Sequence, residues 1–194
     1  AAKSYMSENS FYVPYEGEHP YRKLVVYITG YMFKEFGESE ASARMPFAIA
    51  NILFIILFYL FLSKMFSRRM SIVVCFIIAF SPLFIQMSRE CRSYTLHQLF
   101  YFLSATLFFI GFEYKENNKV IKMWQLVPRI ETKYQINLLI LLLSFISGYI
   151  AKSLQPLTYN LVFVIGGYAL TMLTISIFNR GRPNRSMTKY AVVL

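Results

Sequence analysis

Two arginines and a glutamate occur within one short polar stretch, MSRECRSYTLHQ, which covers residues 87–98. They are Arg89, Glu90 and Arg92. The stretch joins two apolar segments, where a plain connector needs only small or polar residues. Arginine keeps its charge at any physiological pH, and its fork of donors matches the oxygens of an anionic group. The cluster therefore favours contact with something outside the chain, the alternative being arginines that snorkel to a membrane interface in a local ion pair.

The segments around this cluster belong to a strongly apolar chain. Hydrophobic residues make up 56% of it and charged residues only 15%, which is too apolar for a soluble domain of this size. Several blocks are long enough to cross the ~30 Å hydrocarbon core of a bilayer, and the alternation of membrane barrel strands is missing. The sequence therefore predicts an all-α fold, a polytopic transmembrane helical bundle. The predicted spans are 46–63, 70–87, 93–112, 134–151 and 157–178, with the start of another at Tyr190.

The net charge of +10 follows the predicted topology. Most of the excess Lys and Arg lies in three connections, 64–69, 113–133 and 179–189. Cytoplasmic connections of membrane proteins are enriched in these residues, so the three are expected to face the cytoplasm. Residues 1–45, the Arg89–Arg92 cluster and Lys152 then lie on the outer face. Nucleic acid is not expected as a partner, whereas membrane lipids are.

The outer segment 1–45 contains a second helical pattern, over residues 22–36. Apolar residues recur there at helical spacing, and charged residues occupy the remaining positions. At this length the pattern fits an amphipathic helix that lies in the membrane interface, with Gly37 as its C-cap. The domain prediction is an outer loop with a juxtamembrane helix, followed by the spans from residue 46 onward. Because the chain starts with Ala-Ala-Lys and stops inside a predicted span, we expect it to be truncated at both ends.

Three landmarks appear in order along the first part of the chain. They are Glu18-His19-Pro20, then FGESE with AR-P (36–46), then SP followed by SRE-R-Y (81–94). In this order they resemble the N-terminal half of the polyprenyl-phosphate-sugar-dependent glycosyltransferases. These multi-spanning enzymes of the GT-C fold include protein O-mannosyltransferases and the aminoarabinose transferase acting on lipid A. The resemblance covers roughly residues 1–112, and beyond Glu113 only hydropathy and topology agree.

The resemblance implies an enzyme that moves a sugar from a polyprenyl-phosphate donor to an acceptor hydroxyl on a protein, lipid or glycan. The reaction would take place on the outer face of a membrane, expected to be a prokaryotic inner or plasma membrane. It needs positive charge for the departing phosphate and a base for the acceptor. The implied substrate-binding residues are Arg89, Glu90, Arg92, Tyr94, His19 and Lys152. Glu18 is implied as a candidate ligand of a divalent metal ion.

The chain also departs from the family pattern. The family's catalytic Asp, judged by its spacing from His19, is expected a few residues upstream of Ala1. Tyr21 follows Pro20 where many members have a second proline, and some members have Asp at the position of Tyr94. These departures leave the base unassigned and put the acceptor contact of Tyr94 in question.

Several residues have a second interpretation. Lys152 at a span end either binds phosphate or snorkels, and His97 is interpreted as a contact between helices. The aromatic residues of the spans, including Tyr101, Phe108 and Phe109, either line a groove for a polyprenyl tail or simply pack. The cysteines are interpreted as buried packing residues.

A non-catalytic membrane protein is the alternative function, either a transporter or a lipid-carrier-binding subunit. A transporter is expected to bury charged residues near the bilayer midplane, between broken helices. Here the charged residues lie at the ends of the predicted spans, which favours chemistry at the outer interface.

Overall fold

The computed structural model describes residues 23–112 and 136–178. Within these ranges the chain is helical apart from short connections and contains no strand. A 3-10 turn, Pro156–Tyr159, precedes the last helix. The α-helices are α1 (Lys23–Phe36), α2 (Glu40–Met65), α3 (Arg68–Ala79), α4 (Pro82–Arg89), α5 (Ser93–Phe112), α6 (Leu138–Leu154) and α7 (Asn160–Phe178). The prediction of an all-α helical membrane bundle is confirmed.

Three helical segments of the described ranges are long and apolar enough to cross a membrane: Glu40–Lys64, Ser93–Phe112 and Pro156–Thr174. Helices α3 and α4 qualify as a fourth only if the bent pair forms one span, and α6 is a shorter apolar helix. Large apolar side chains on these helices are exposed, with Phe163 at 77% and Ile52 at 58%. Such surfaces suit contact with lipid chains rather than water.

The corner between α1 and α2 is built by three small residues. Gly37 ends α1 with a φ of 80°, a left-handed conformation that costs glycine little. Ser39 then caps α2, because its Oγ accepts the Ser42 N–H at 3.1 Å while the Ser42 Oγ accepts the Ser39 N–H at 3.1 Å. The Ser42 hydroxyl also donates to the Gly37 carbonyl at 2.7 Å. This capping box starts α2 at Glu40, six residues before the predicted span start at Pro46, which lies inside the helix.

The predicted span 70–87 is divided into two helices. Helices α3 and α4 meet at a bend of 59°. Pro82, the first residue of α4, has no N–H, and a proline ring collides with the carbonyl four residues earlier. In the structure that carbonyl, of Ile78, accepts the Ser81 N–H instead. The bend sends α4 in a new direction and so determines where its final residue, Arg89, lies.

The described residues form two compact units, and the first comprises 23–102 with 149–156. Its core contains Val25, Phe47, Ala50, Leu96 and Leu154. Helix α1 contributes one buried side to this unit, whereas Tyr27 and Tyr31 on its other side are exposed. The sequence-predicted amphipathic helix therefore presents a polar and aromatic face outward, as a helix in the membrane interface would.

The second unit comprises 103–112, 136–148 and 157–178. Phe108 and Phe112 are its buried aromatic residues, and Phe109 packs edge-to-face on Tyr168 with ring centroids 4.8 Å apart. Ser104 and Ser144 exchange hydrogen bonds, since each hydroxyl donates to the other residue's carbonyl, at 2.9 and 2.8 Å. Small hydroxyl residues of this kind allow helix backbones to approach closely in membranes.

Helix α6 begins at Leu138, directly after Asn137 and four residues later than the start of the predicted span at Tyr134. The Asn137 side chain is fully buried, and its Oδ1 accepts the Ile140 N–H at 3.0 Å. Its backbone N–H donates to the Gly111 carbonyl at 2.7 Å. Asn137 therefore caps α6 and also joins it to the end of α5.

Replacing Asn137 by alanine is expected to lower the free energy of unfolding by about 1–2 kcal/mol, because α6 loses its cap. Thermal unfolding of the detergent-solubilised protein, followed by circular dichroism, measures the effect. Asn160→Ala is the matched control, since Asn160 is an exposed residue at the start of α7. Equal stability of the two variants would contradict the capping role.

Candidate functional site

The end of α4 and the start of α5 carry the arginine cluster. Glu90 lies in extended backbone after α4, and its Oε2 is 3.3 Å from the Arg92 Nε. Gln86, one turn earlier, donates from Nε2 to the other oxygen of Glu90 at 3.4 Å. The Thr95 hydroxyl donates to the Met87 carbonyl at 3.0 Å and ties α5 back to α4. Glu90 thus holds Arg92 in a local ion pair.

Arg89 differs from Arg92 in its surroundings. It is exposed, and within ranges 23–112 and 136–178 it makes no ion pair. The guanidinium group is therefore available to an anion from outside, whereas an anion at Arg92 competes with Glu90.

An open groove of about 540 Å³ lies beside the cluster. Its walls combine two arginines with a glutamine, a glutamate and two apolar residues. The lining residues are Arg44, Pro82, Ile85, Gln86, Arg89 and Glu90. The volume falls in the usual range of ligand pockets.

Arg44 is a groove residue that the sequence reasoning did not select. It comes from the first part of α2, far from Arg89 along the chain, and it forms an ion pair with Glu40 one turn earlier. The available signal was the AR-P motif (43–46), which served only as part of a family landmark. The capping box at Ser39 places Arg44 in the second turn of α2.

Two other predicted site residues lie at the same end of the first unit. Tyr94, in the first turn of α5, is 44% exposed. Lys152 is exposed in the last turn of α6, and three residues later Gln155 donates from Nε2 to the Ser93 Oγ at 3.0 Å. That hydrogen bond brings the end of α6 to the start of α5, and so places Lys152 near the Arg92–Tyr94 segment.

Glu18 and His19 lie outside the described residues. Among the residues that the structure describes, no group of three or more His, Cys, Asp or Glu side chains could hold a metal ion. The candidate metal site at Glu18 stays a prediction.

The aromatic residues divide between the two units. In the first unit, Phe54 packs against Phe84 of α4 and Phe102 of α5, each with ring centroids 5.5 Å apart. Phe84 therefore faces the bundle, while Ile85 and Arg89 of the same helix line the groove. The rings of His97 and Tyr101, both in α5, are tilted by 43° to each other, with centroids 5.6 Å apart. Phe108 and Phe109 lie in the core of the second unit, so packing accounts for them.

Cys91, in the connection between α4 and α5, is exposed rather than buried, which corrects the sequence interpretation for this residue, while Cys75 is buried. Partial burial of the thiol raises its pKa above the ordinary value, the nearby Arg44 lowers it, and Glu40 raises it again. Cys91 directly follows Glu90, which lines the groove.

Taken together, the fold and site define a helical membrane protein with a groove lined by Arg44, Arg89 and Glu90. Residues 18–178 match the family described as dolichyl-phosphate-mannose-protein mannosyltransferase, and the chain belongs to this family. It is an integral membrane glycosyltransferase of the mannosyltransferase type. No curated protein and no solved structure matches the chain.

Proposed function

We propose that this chain transfers a mannosyl-type sugar from a polyprenyl-phosphate carrier to an acceptor hydroxyl at the outer face of the membrane. Family membership supports sugar transfer. The groove is the observation that supports a lipid-phosphate donor. In it, Arg89 lies beside an apolar wall. Arg89 is exposed and has no ion pair among the described residues. A lipid-linked phosphate has the same combination of charge and apolar chain.

The chemistry requires the groove to favour the departing phosphate. The bond between the sugar C1 and the phosphate oxygen breaks, and its electron pair stays on that oxygen. The acceptor oxygen bonds to C1 and gives its proton to a carboxylate base. Charge therefore grows on the phosphate during transfer, and guanidinium donors that are already in place stabilise it. We assign this role to Arg89 and Arg92, with Glu90 orienting Arg92.

The remaining predicted residues have supporting roles in this proposal. Lys152, near the Arg92–Tyr94 segment, adds positive charge for the donor phosphate, and Tyr94 contacts the acceptor. His19 contacts the substrate, and Glu18 is the candidate ligand of a divalent cation. The acceptor that we propose is a hydroxyl-bearing side chain of a protein, in line with the family description.

A transfer assay tests the donor class. The full-length protein in lipid vesicles receives a hydroxyl-bearing peptide and either polyprenyl-phosphate mannose or a nucleotide-linked mannose. Labelled peptide is expected only with the lipid-linked donor. Transfer from the nucleotide sugar alone would contradict the proposal.

Thiol labelling tests the face of the membrane. A membrane-impermeant maleimide added outside intact cells is expected to label Cys91. The rate should rise about tenfold from pH 7 to pH 8, because the raised pKa keeps the thiol protonated at neutral pH and the thiolate is the reactive form. Cys91→Ser removes the signal, and Ser67→Cys in the connection before α3 should react only after permeabilisation. The reverse pattern would place the groove on the cytoplasmic side.

A further inference from the structure

Arg44 shares the groove with Arg89 but is held by Glu40 of its own helix. We propose that Arg44 is a further phosphate-binding residue, which exchanges its ion pair with Glu40 for the phosphate of the lipid carrier. The inference rests on the proposed function, because it takes the carrier phosphate as the occupant of the groove.

The ion pair is easily exchanged. The Arg44 side chain is 45% exposed and the Glu40 side chain 75% exposed, and the two residues are one helical turn apart. Exposed pairs at this spacing contribute little to stability, because water competes for both charges. A phosphate that enters the groove therefore needs to displace only a weak partner.

The groove offers a phosphate more than one kind of contact. Arg44 comes from α2 and Arg89 from α4, so arginines from two separate helices line one groove. The Gln86 amide adds a polar group to the wall, while the Glu90 carboxylate in the same wall pairs with Arg92. Pro82 and Ile85 supply an apolar surface that fits the first isoprene unit of a carrier chain.

Arg44 is expected to matter most after the sugar has left. The donor is a phosphate diester with a single charge, whereas the carrier phosphate released by transfer is a monoester with a charge of about −1.5 to −2. Two arginines discriminate between the diester and the monoester better than one, because each guanidinium interacts more strongly with the phosphate of higher charge. Arg44 thus binds the monoester more tightly than the diester. For the same reason it stabilises the negative charge that develops on the phosphate in the transition state.

Binding of two carrier esters to the full-length protein in nanodiscs tests the inference. The probes are a polyprenyl monophosphate and the methyl ester of the same compound, which keeps the chain but has the charge of the donor. Arg44→Ala is expected to weaken monophosphate binding by about tenfold or more, and binding of the methyl ester much less. Arg44→Lys should recover only part of the loss, because a point charge lacks the fork of donors.

Glu40→Gln provides a gain of binding that misfolding cannot imitate. Removal of the competing carboxylate is expected to tighten monophosphate binding by about twofold or more, and only while Arg44 is present. Arg69→Ala, an exposed arginine in the first turn of α3, is the matched control and should leave both affinities unchanged. Inorganic phosphate should compete poorly, because it lacks the chain that contacts Pro82 and Ile85.

The outcomes separate this inference from the proposed function. If Arg89→Ala weakens carrier binding but Arg44→Ala does not, Arg44 is not a phosphate-binding residue and the proposed function stands. An equal effect of Arg44→Ala on both esters, or of Glu40→Gln with and without Arg44, would also overturn the inference. If neither arginine affects binding, the carrier does not occupy the groove and both proposals fail.

Discussion

Replacing Arg89 by alanine is expected to lower the rate of sugar transfer by about a hundredfold or more. Arg89 is exposed in the groove and has no ion pair among the described residues, so its guanidinium is free to stabilise the charge that grows on the departing phosphate. Arg92→Ala should cost less, because Arg92 is already paired with Glu90 at 3.3 Å. A transfer assay with the lipid-linked donor and the full-length protein in vesicles measures both effects.

Lysine at position 89 separates charge from geometry. Arg89→Lys keeps the positive charge but loses the paired donors, so partial activity is expected. Arg69→Ala again serves as the control for loss of an exposed arginine. Normal turnover of a folded and inserted Arg89→Ala protein would return the cluster to the alternative interpretation, in which its arginines snorkel at the interface.

Replacing Gly111 by valine is expected to lower the free energy of unfolding by about 1–3 kcal/mol. A Cβ at Gly111 would lie 3.2 Å from the Cβ and Cγ2 of Ile140 and from the Cγ of Leu141. Ile140 and Leu141 belong to the first turn of α6. The backbone N–H of Asn137, just before α6, donates a hydrogen bond to the Gly111 carbonyl. The added side chain must therefore push apart a junction that is packed and hydrogen-bonded.

Gly167→Val is the matched control, because a Cβ at helical Gly167 meets nothing within 4 Å. Both variants place a β-branched residue in a helix, so the difference between them reports the packing at Gly111. Thermal unfolding in detergent micelles gives this difference. Equal destabilisation by the two variants would show that local helix propensity, and not the junction with α6, is responsible.

The class of the protein could be predicted from the sequence because it depends on local pattern. Apolar blocks of bilayer length allow only helices, since lipid cannot satisfy free backbone groups. The end of α1 at Gly37 and the pairing of Glu90 with Arg92 are equally local, because each involves residues close together in the chain. The three landmarks also predicted the glycosyltransferase family, and the family match over residues 18–178 confirms it.

The boundaries of the helices were less predictable, since local capping competes with hydropathy. The serine box starts α2 before the apolar block, and Asn137 starts α6 after its block has begun. Hydropathy reports which residues prefer lipid, whereas a helix begins where its first N–H groups find acceptors. The proline at position 82 is a sequence signal for the bend. The continuous apolar run 70–87 nevertheless led to the prediction of a single span, which the structure divides into two helices.

The composition of the groove was decided only by the tertiary structure. The sequence alone brought Arg89 and Arg92 together as neighbours, whereas Arg44 was only part of a family landmark. Arg44 and Arg89 line one groove because α2 begins at the Ser39 cap and α4 changes direction at Pro82. The contact between Phe84 and Phe54 packs α4 against α2. Spacing along one helix follows from its period, but which helix ends meet depends on how separate helices pack.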